Sequence, residues 1–169
     1  MGSHALHSQS YSDTHPEALP RWLAVGFLSG FVSVIVFHQG ALELLYAAGL
    51  SPRAPFSMQA TAPFGVPVLW SLAFWGGVWG AALAPGLARL RGGRLLAAAT
   101  FVGAVLPTLV AWFVVAPLKG APVAAGFAPK AMLVGPIVNA AWGFGLGLGL
   151  MLFARVRGLL PEARDPRRA

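Results

Sequence analysis

The 169-residue chain has no cysteine and very little charge. The lack of thiols excludes disulfides, thiolate zinc sites and quinone-linked dithiol chemistry. Charged residues make up 10% of the chain and hydrophobic residues 57%, with a mean hydropathy of +0.70. A soluble domain is about a quarter charged, so this chain lacks the polar groups needed to cover a surface in water.

Acidic residues are the scarcer of the two charged classes. Five Asp and Glu stand against 12 Lys and Arg, which gives a formal net charge of +7. Such an excess can indicate nucleic-acid binding, but here the arginines stand at the ends of apolar runs, where phospholipid headgroups lie. We therefore expect the lipid bilayer as partner and no nucleic acid. Another membrane protein or a second copy of the chain remains a further candidate.

Four long apolar runs occupy residues 22–49, 66–87, 95–118 and 131–153. Each reaches the roughly 20 apolar residues that cross a bilayer, and backbone groups in lipid must bond within their own segment, so each run should be helical. The prediction is an all-α fold: a four-transmembrane-helix bundle over 22–153, with a polar tail at 1–21 and a basic tail at 154–169. The first 20 residues lack an apolar core, and we expect no cleavable signal peptide there.

Proline and tryptophan refine these spans. Pro107 should bend the third span, whereas Pro67 and Pro136 should fall in the first turns of their helices. Three tryptophans suit interface anchoring, namely Trp22, Trp70 and Trp112. Three others lie deeper and should pack between helices, namely Trp75, Trp79 and Trp142.

The positive charges predict an orientation. Nine arginines lie on one side of the four spans: Arg21, Arg89, Arg91, Arg94, Arg155, Arg157, Arg164, Arg167 and Arg168. The other side has only Arg53, Lys119 and Lys130. By the positive-inside rule, the chain should be a multi-pass protein of the bacterial cytoplasmic (inner) membrane with both termini in the cytoplasm.

The two halves of the chain resemble each other. GFLSGFVSVIVF (26–37) corresponds to TFVGAVLPTLVAWF (100–113), and LARLRG (87–92) corresponds to FARVRG (153–158). These matches favour two tandem two-helix repeats related by an axis along the membrane normal. Chance similarity within a small apolar alphabet is the alternative.

Glycines recur at four-residue spacing within the spans. Small residues at that spacing let helix backbones approach closely. The candidate packing positions are Gly26, Gly30, Gly76, Gly80, Gly143, Gly145, Gly147 and Gly149. A nucleotide-binding glycine loop is the rival interpretation, but that motif requires a preceding strand, and here the glycines lie in an apolar run.

Polar side chains interrupt the outer third of the first span. His38, Gln39 and Glu43 define a candidate polar site, to which we add Tyr46, Lys119 and Asn139. Ionisable groups at membrane depth usually face the bundle interior or a wet cavity, where they could pass protons or bind a cation. The alternative is structural: Glu43 reaches headgroup water with Lys119 or Lys130 as its candidate partner, and His38 and Gln39 bond a neighbouring helix or the outer loop.

Catalytic and cofactor sites are not apparent. His38 is the one histidine within a span, too few for bis-histidine haem ligation or a typical metal site. Asn139 suits a hydrogen bond between helices better than catalysis. We therefore expect no cofactor, no metal and no catalytic residue.

The outer segment 51–67 is long for a connection and carries Phe56, Met58 and Phe64. Such scattered apolar residues favour a lid packed over the outer end of the bundle, and a disordered loop is the alternative.

The passages FHQGALELLYAAGL (37–50) and APFGVPVLWSLAFWGGVWG (62–80) resemble small four-span inner-membrane proteins of proteobacteria that have no assigned activity. The resemblance covers the apolar body and implies no reaction, substrate or catalytic residue.

Two functional classes follow from the residues. The first is a non-enzymatic accessory or structural membrane component, which tight glycine packing and sparse polarity favour. The second is a small transporter or channel for protons, cations or a small polar solute, with an outer-facing site at His38, Gln39 and Glu43. An enzyme acting on lipid ranks third, because no acid–base pair is evident.

Overall fold

The computed structural model describes residues 18–159 of the chain, with side chains described for 19–156. Residues 1–17 and 160–169, which include most of the two predicted tails, lie outside the described part. Within it, four helices are long and apolar enough to cross a membrane: Leu19–Ala47, Val68–Leu87, Gly92–Leu118 and Pro129–Val156. The predicted all-α four-helix bundle is thereby confirmed, and the four helices support a multi-pass membrane protein.

The two odd-numbered spans each change helix type in their C-terminal half. The first consists of α1 (Ala18–Ser33), a π-helical segment (Val34–His38) and α2 (Gln39–Ala47). The third consists of α4 (Gly92–Val110), a π-helical segment (Ala111–Val115) and α5 (Ala116–Leu118). A π turn inserts a residue and rotates the side chains that follow it.

The even-numbered spans are single α-helices, α3 (Val68–Leu87) and α6 (Pro129–Leu159). A small antiparallel hairpin, β1 (Ala60–Thr61) with β2 (Val66–Pro67), precedes α3. A short turn with left-handed backbone angles (Val123–Phe127) precedes α6.

Glycine sets the distance between α1 and α3. A Cβ atom added at Gly80 would collide with the carbonyl oxygen of Gly26, and one added at Gly30 with that of Gly76. The two backbones are therefore in direct contact, which supplies the van der Waals packing that holds helices together in lipid.

The same type of direct backbone contact at glycines joins α4 to α6. A Cβ at Gly103 would lie 2.7 Å from the Cα of Gly143, and one at Gly143 would meet the carbonyl oxygen of Ala99. At Gly147, an added Cβ would lie 3.1 Å from the Cβ of Ala99. The chain thus contains two helical hairpins with matching glycine contacts.

The hairpins dock through α1 and α6, whereas α3 and α4 barely touch. Gly145 lies against the Phe37 ring and the Ser33 hydroxyl, and Gly149 lies against Ser29. One buried cluster joins all four spans: Val34, Ala73, Ala84, Leu87, Leu95, Ala99, Trp142, Leu146 and Leu150.

Two predictions from the sequence are wrong in detail. Pro136 is not in the first turn of its helix, because Pro129 already occupies the first position and Pro136 is the eighth residue. Trp75 does not pack between helices but is 58% exposed. The α3 stripe that contacts α1 contains Ala73, Gly76 and Gly80, and the helical repeat puts residue 75 on the opposite face.

Candidate functional site

His38 closes the π segment of the first span, about two-thirds of the way along it. Its Nδ1 atom is buried and has no hydrogen-bond partner among the described residues. Buried polar atoms are nearly always paired, so an orphaned imidazole nitrogen is unusual. This nitrogen is free to bond an additional group.

Gln39 begins α2, directly after the π segment, and is only 2% exposed. Its Oε1 atom accepts a hydrogen bond of 2.8 Å from the backbone N–H of Phe56, in the outer connection. Phe56 has a positive φ of 50°, a conformation that costs a non-glycine residue about 1–2 kcal/mol. The Gln39 bond thus stabilises a turn of the outer segment against the end of the first span.

The outer segment is ordered by polar bonds. The backbone N–H groups of Val68 and Leu69 donate to the carbonyl oxygens of Gln59 and Ser57, and β1 pairs with β2. Its large apolar side chains point outward, with exposed fractions of 46%, 58% and 88% for Phe56, Met58 and Phe64. The segment is therefore folded, as the lid hypothesis requires, but these three side chains do not provide the packing on which that hypothesis was based.

Glu43, Tyr46 and Lys119 are all exposed, unlike Gln39. In the part of the chain that the structure describes, no ion pair joins Glu43 to Lys119 or Lys130. Gln39 and Glu43 are four residues apart in α2, yet only Gln39 is buried. The six predicted polar residues therefore do not form one cluster of contacting side chains.

Asn139 contributes a bond within the second hairpin. Its Nδ2 atom donates a hydrogen bond of 2.9 Å to the Oγ1 atom of Thr108, which is 2% exposed. The bond joins α6 to α4, the helix–helix role that the sequence suggested for an amide at this depth. Thr108 itself was not anticipated.

Ser33 and Trp142 connect the two hairpins. The Ser33 hydroxyl donates to the carbonyl oxygen of Trp142 at 2.6 Å, and the Trp142 indole N–H donates to the carbonyl oxygen of Gly30 at 2.9 Å. Both side chains are nearly fully buried, at 1% and 2% exposed. These two reciprocal bonds are the polar centre of the interface between α1 and α6.

The sequence contained a weak signal for this interface. Ser29 and Ser33 are four residues apart in α1, and Gly145 and Gly149 are four apart in α6. Paired small residues at that spacing are typical of contacting membrane helices. Residues 18–159 contain no group of three His, Cys, Asp or Glu side chains that could hold a metal ion.

The comparisons with known proteins assign no family to this chain. Comparison with protein-family models, with curated proteins and with solved structures finds no match. Function is therefore argued from the geometry alone.

Proposed function

We propose that the chain is a multi-pass protein of the bacterial cytoplasmic membrane and serves there as a non-enzymatic structural or accessory component. The observation that carries this proposal is that buried polar groups form hydrogen bonds from one helix to another. Ser33 and Trp142 bond each other's helices, and Asn139 bonds Thr108. Polar groups engaged in holding helices together in this way are not available to bind a solute in transit.

The charge distribution supports cytoplasmic termini. The turn between α3 and α4 carries Arg89, Arg91 and Arg94, and both ends of the four-span body on that side carry further arginines. The absence of cysteine makes the orientation easy to test, since single cysteines can be introduced at Leu90, in the inner turn, and at Phe64, in the outer hairpin. An impermeant maleimide should label Phe64→Cys in spheroplasts and Leu90→Cys only after permeabilisation. The reverse pattern contradicts the orientation.

Two tandem repeats account for the matching hairpins. The contact of Gly26 and Gly30 with α3 has its counterpart in the contact of Ala99 and Gly103 with α6. Both odd-numbered spans also contain a π segment in their outer half. These parallels support a duplication of one hairpin, and the resemblance to small four-span proteobacterial proteins fits the same architecture.

An accessory role requires a stable protein neighbour in the membrane. A photo-crosslinking amino acid at Trp75, Phe101 or Leu152, which are 58%, 69% and 64% exposed on three different spans, should capture a discrete membrane protein. Leu146 is fully buried and serves as the control that should give no intermolecular adduct. Adducts with lipid alone from all three exposed positions contradict the accessory role.

The orphaned Nδ1 atom of His38 favours a second candidate, a small transporter or channel for protons or cations. Purified protein in liposomes loaded with a pH-sensitive or cation-sensitive dye would measure such a flux. Flux that is lost in His38→Ala or Glu43→Gln, and retained in Tyr46→Phe, would replace the accessory role with transport. The accessory proposal expects no flux above that of empty liposomes.

A further inference from the structure

The short turn between α3 and α4 concentrates positive charge at one end of the bundle. Arg89, Arg91 and Arg94 are all exposed there. Together with Leu90 and Gly93, they line an open concavity of about 720 Å³. The proposed function uses these arginines only as an indicator of orientation and assigns them no ligand.

The charge in the concavity is not compensated by the described part of the chain. Between residues 18 and 159 the one carboxylate belongs to Glu43, in the outer part of the first span, at the other end of the bundle. None of the three arginines forms an ion pair with any described residue. An anion that neutralises these three guanidinium groups must therefore come from outside residues 18–159.

The backbone next to these arginines is also open. Arg91 is the N-cap of α4 and makes no side-chain bond to the first turn. A Cβ atom added at Gly92 or Gly93 would meet no atom within 4 Å, so no side chain covers this part of the helix. Guanidinium groups bind phosphate oxygens in a bidentate manner, and uncapped N–H groups at the start of a helix complement them.

We infer that this concavity binds the phosphate of an anionic phospholipid, of the phosphatidylglycerol or cardiolipin class. The inference rests on the proposed membrane location, because a turn between two spans lies at the depth of the headgroups. A lipid fits better than a soluble phosphate, because Leu90, which is 36% exposed, adds an apolar wall beside the arginines. Basic pockets between membrane helices commonly bind such headgroups.

The test is a lipid titration of the full chain in zwitterionic phosphatidylcholine nanodiscs, with phosphatidylglycerol added and bound lipid counted by native mass spectrometry. Each arginine near a membrane surface contributes roughly fivefold to binding, so the triple variant Arg89→Gln, Arg91→Gln, Arg94→Gln should bind phosphatidylglycerol about a hundredfold more weakly. The matched control Arg53→Gln, Lys119→Gln, Lys130→Gln removes the same charge from the other end and should retain the affinity within about threefold, because it leaves the three arginines in place.

Three results would overturn the inference. The triple variant could bind as tightly as the wild type, which would show that the arginines do not hold the lipid. The control could lose as much affinity as the triple variant. Inorganic phosphate at millimolar concentration could displace the lipid completely, which would make the ligand a soluble anion. Failure of the wild-type chain to enter phosphatidylcholine discs at all would instead contradict the proposed membrane location.

Discussion

At the scale of single residues, Gln39 holds the outer segment to the first span by a hydrogen bond. It is buried at the start of α2 and accepts the N–H of Phe56. Its position follows from the π segment that ends at His38. A π turn shifts the angular position of every later side chain. Gln39 and Glu43 both follow it and differ in burial, since Gln39 bonds the outer segment at Phe56 and Glu43 lies one turn further along α2.

Replacing Gln39 by methionine should loosen the outer segment. The variant keeps the side-chain length but leaves the Phe56 N–H unpaired, at a cost of about 1–3 kcal/mol. Hydrogen exchange should therefore quicken at Phe56 and its neighbours while the helices remain protected. Gln59→Met is the control, since the Gln59 side chain is exposed. Equal exchange rates in both variants would show that Gln39 does not hold the outer segment in place.

Gly80 illustrates a second single-residue effect, direct contact between backbones. Gly80→Ala places a methyl group against the Gly26 carbonyl and should lower the free energy of unfolding in detergent by about 1–3 kcal/mol. Gly86→Ala, in the same helix but with nothing within 4 Å, should cause no loss. A comparable loss in both variants would mean that contact with α1 does not explain the effect.

At the scale of elements, the question is why α6 packs against α1 while α3 and α4 barely meet. The α6 surface presents Gly145 and Gly149 to serines of α1, so the helices approach closely enough for Ser33 and Trp142 to exchange backbone bonds. Trp75 of α3, which stands before a glycine as Trp142 does, is exposed instead. Docking of the hairpins therefore depends on small residues at the α1–α6 interface, and α3 and α4 have no equivalent interface.

Trp142→Phe should weaken this docking. The variant removes the indole N–H that bonds Gly30 but keeps most of the ring, and interhelical hydrogen bonds in membranes contribute about 0.6–2 kcal/mol. Unfolding by titration with a denaturing detergent would measure the loss. Trp75→Phe makes the same chemical change at a lipid-facing position and should leave stability unchanged within about 0.5 kcal/mol. A larger effect at Trp75 than at Trp142 would contradict the assignment of the interface.

At the scale of the whole molecule, the medium around the bundle, hydrocarbon or water, decides whether the fold is stable. Large apolar side chains remain exposed along every span, and the described chain has one carboxylate. An outward-facing apolar surface is stable in hydrocarbon and would associate in water.

The substitution Val32→Arg tests whether hydrocarbon surrounds the bundle. Val32 is 53% exposed near the middle of the first span, where an arginine disfavours membrane insertion by about 2.5–3.5 kcal/mol. The inserted fraction of the variant should fall, as measured by alkaline carbonate extraction. Leu90→Arg, in the inner turn, should insert as the wild type does. A Val32→Arg protein that is soluble and folded would contradict a bilayer environment.

The number and type of the spans could be predicted from the sequence alone. About 20 apolar residues in a row leave the backbone no partner but itself, and the result is a helix wherever the run lies. The glycine spacing likewise indicated close helix contacts, without saying which helices meet. The ion pair considered for Glu43 did not form, because shared membrane depth does not bring two side chains together.

What the sequence by itself determined is therefore the secondary structure and, through the arginine distribution, an expected orientation, since both depend on local composition along the chain. Only the tertiary structure distinguished the exposed Trp75 from the buried Trp142, for which the sequence predicted the same packing. It alone decided that Ser33 bonds Trp142, that Thr108 bonds Asn139 and that Gln39 binds the outer segment. Those outcomes depend on the rotation of each helix about its axis and on the neighbour it faces. A π turn changes the rotation of a helix about its axis, and docking of the hairpins sets the neighbour that each helix faces.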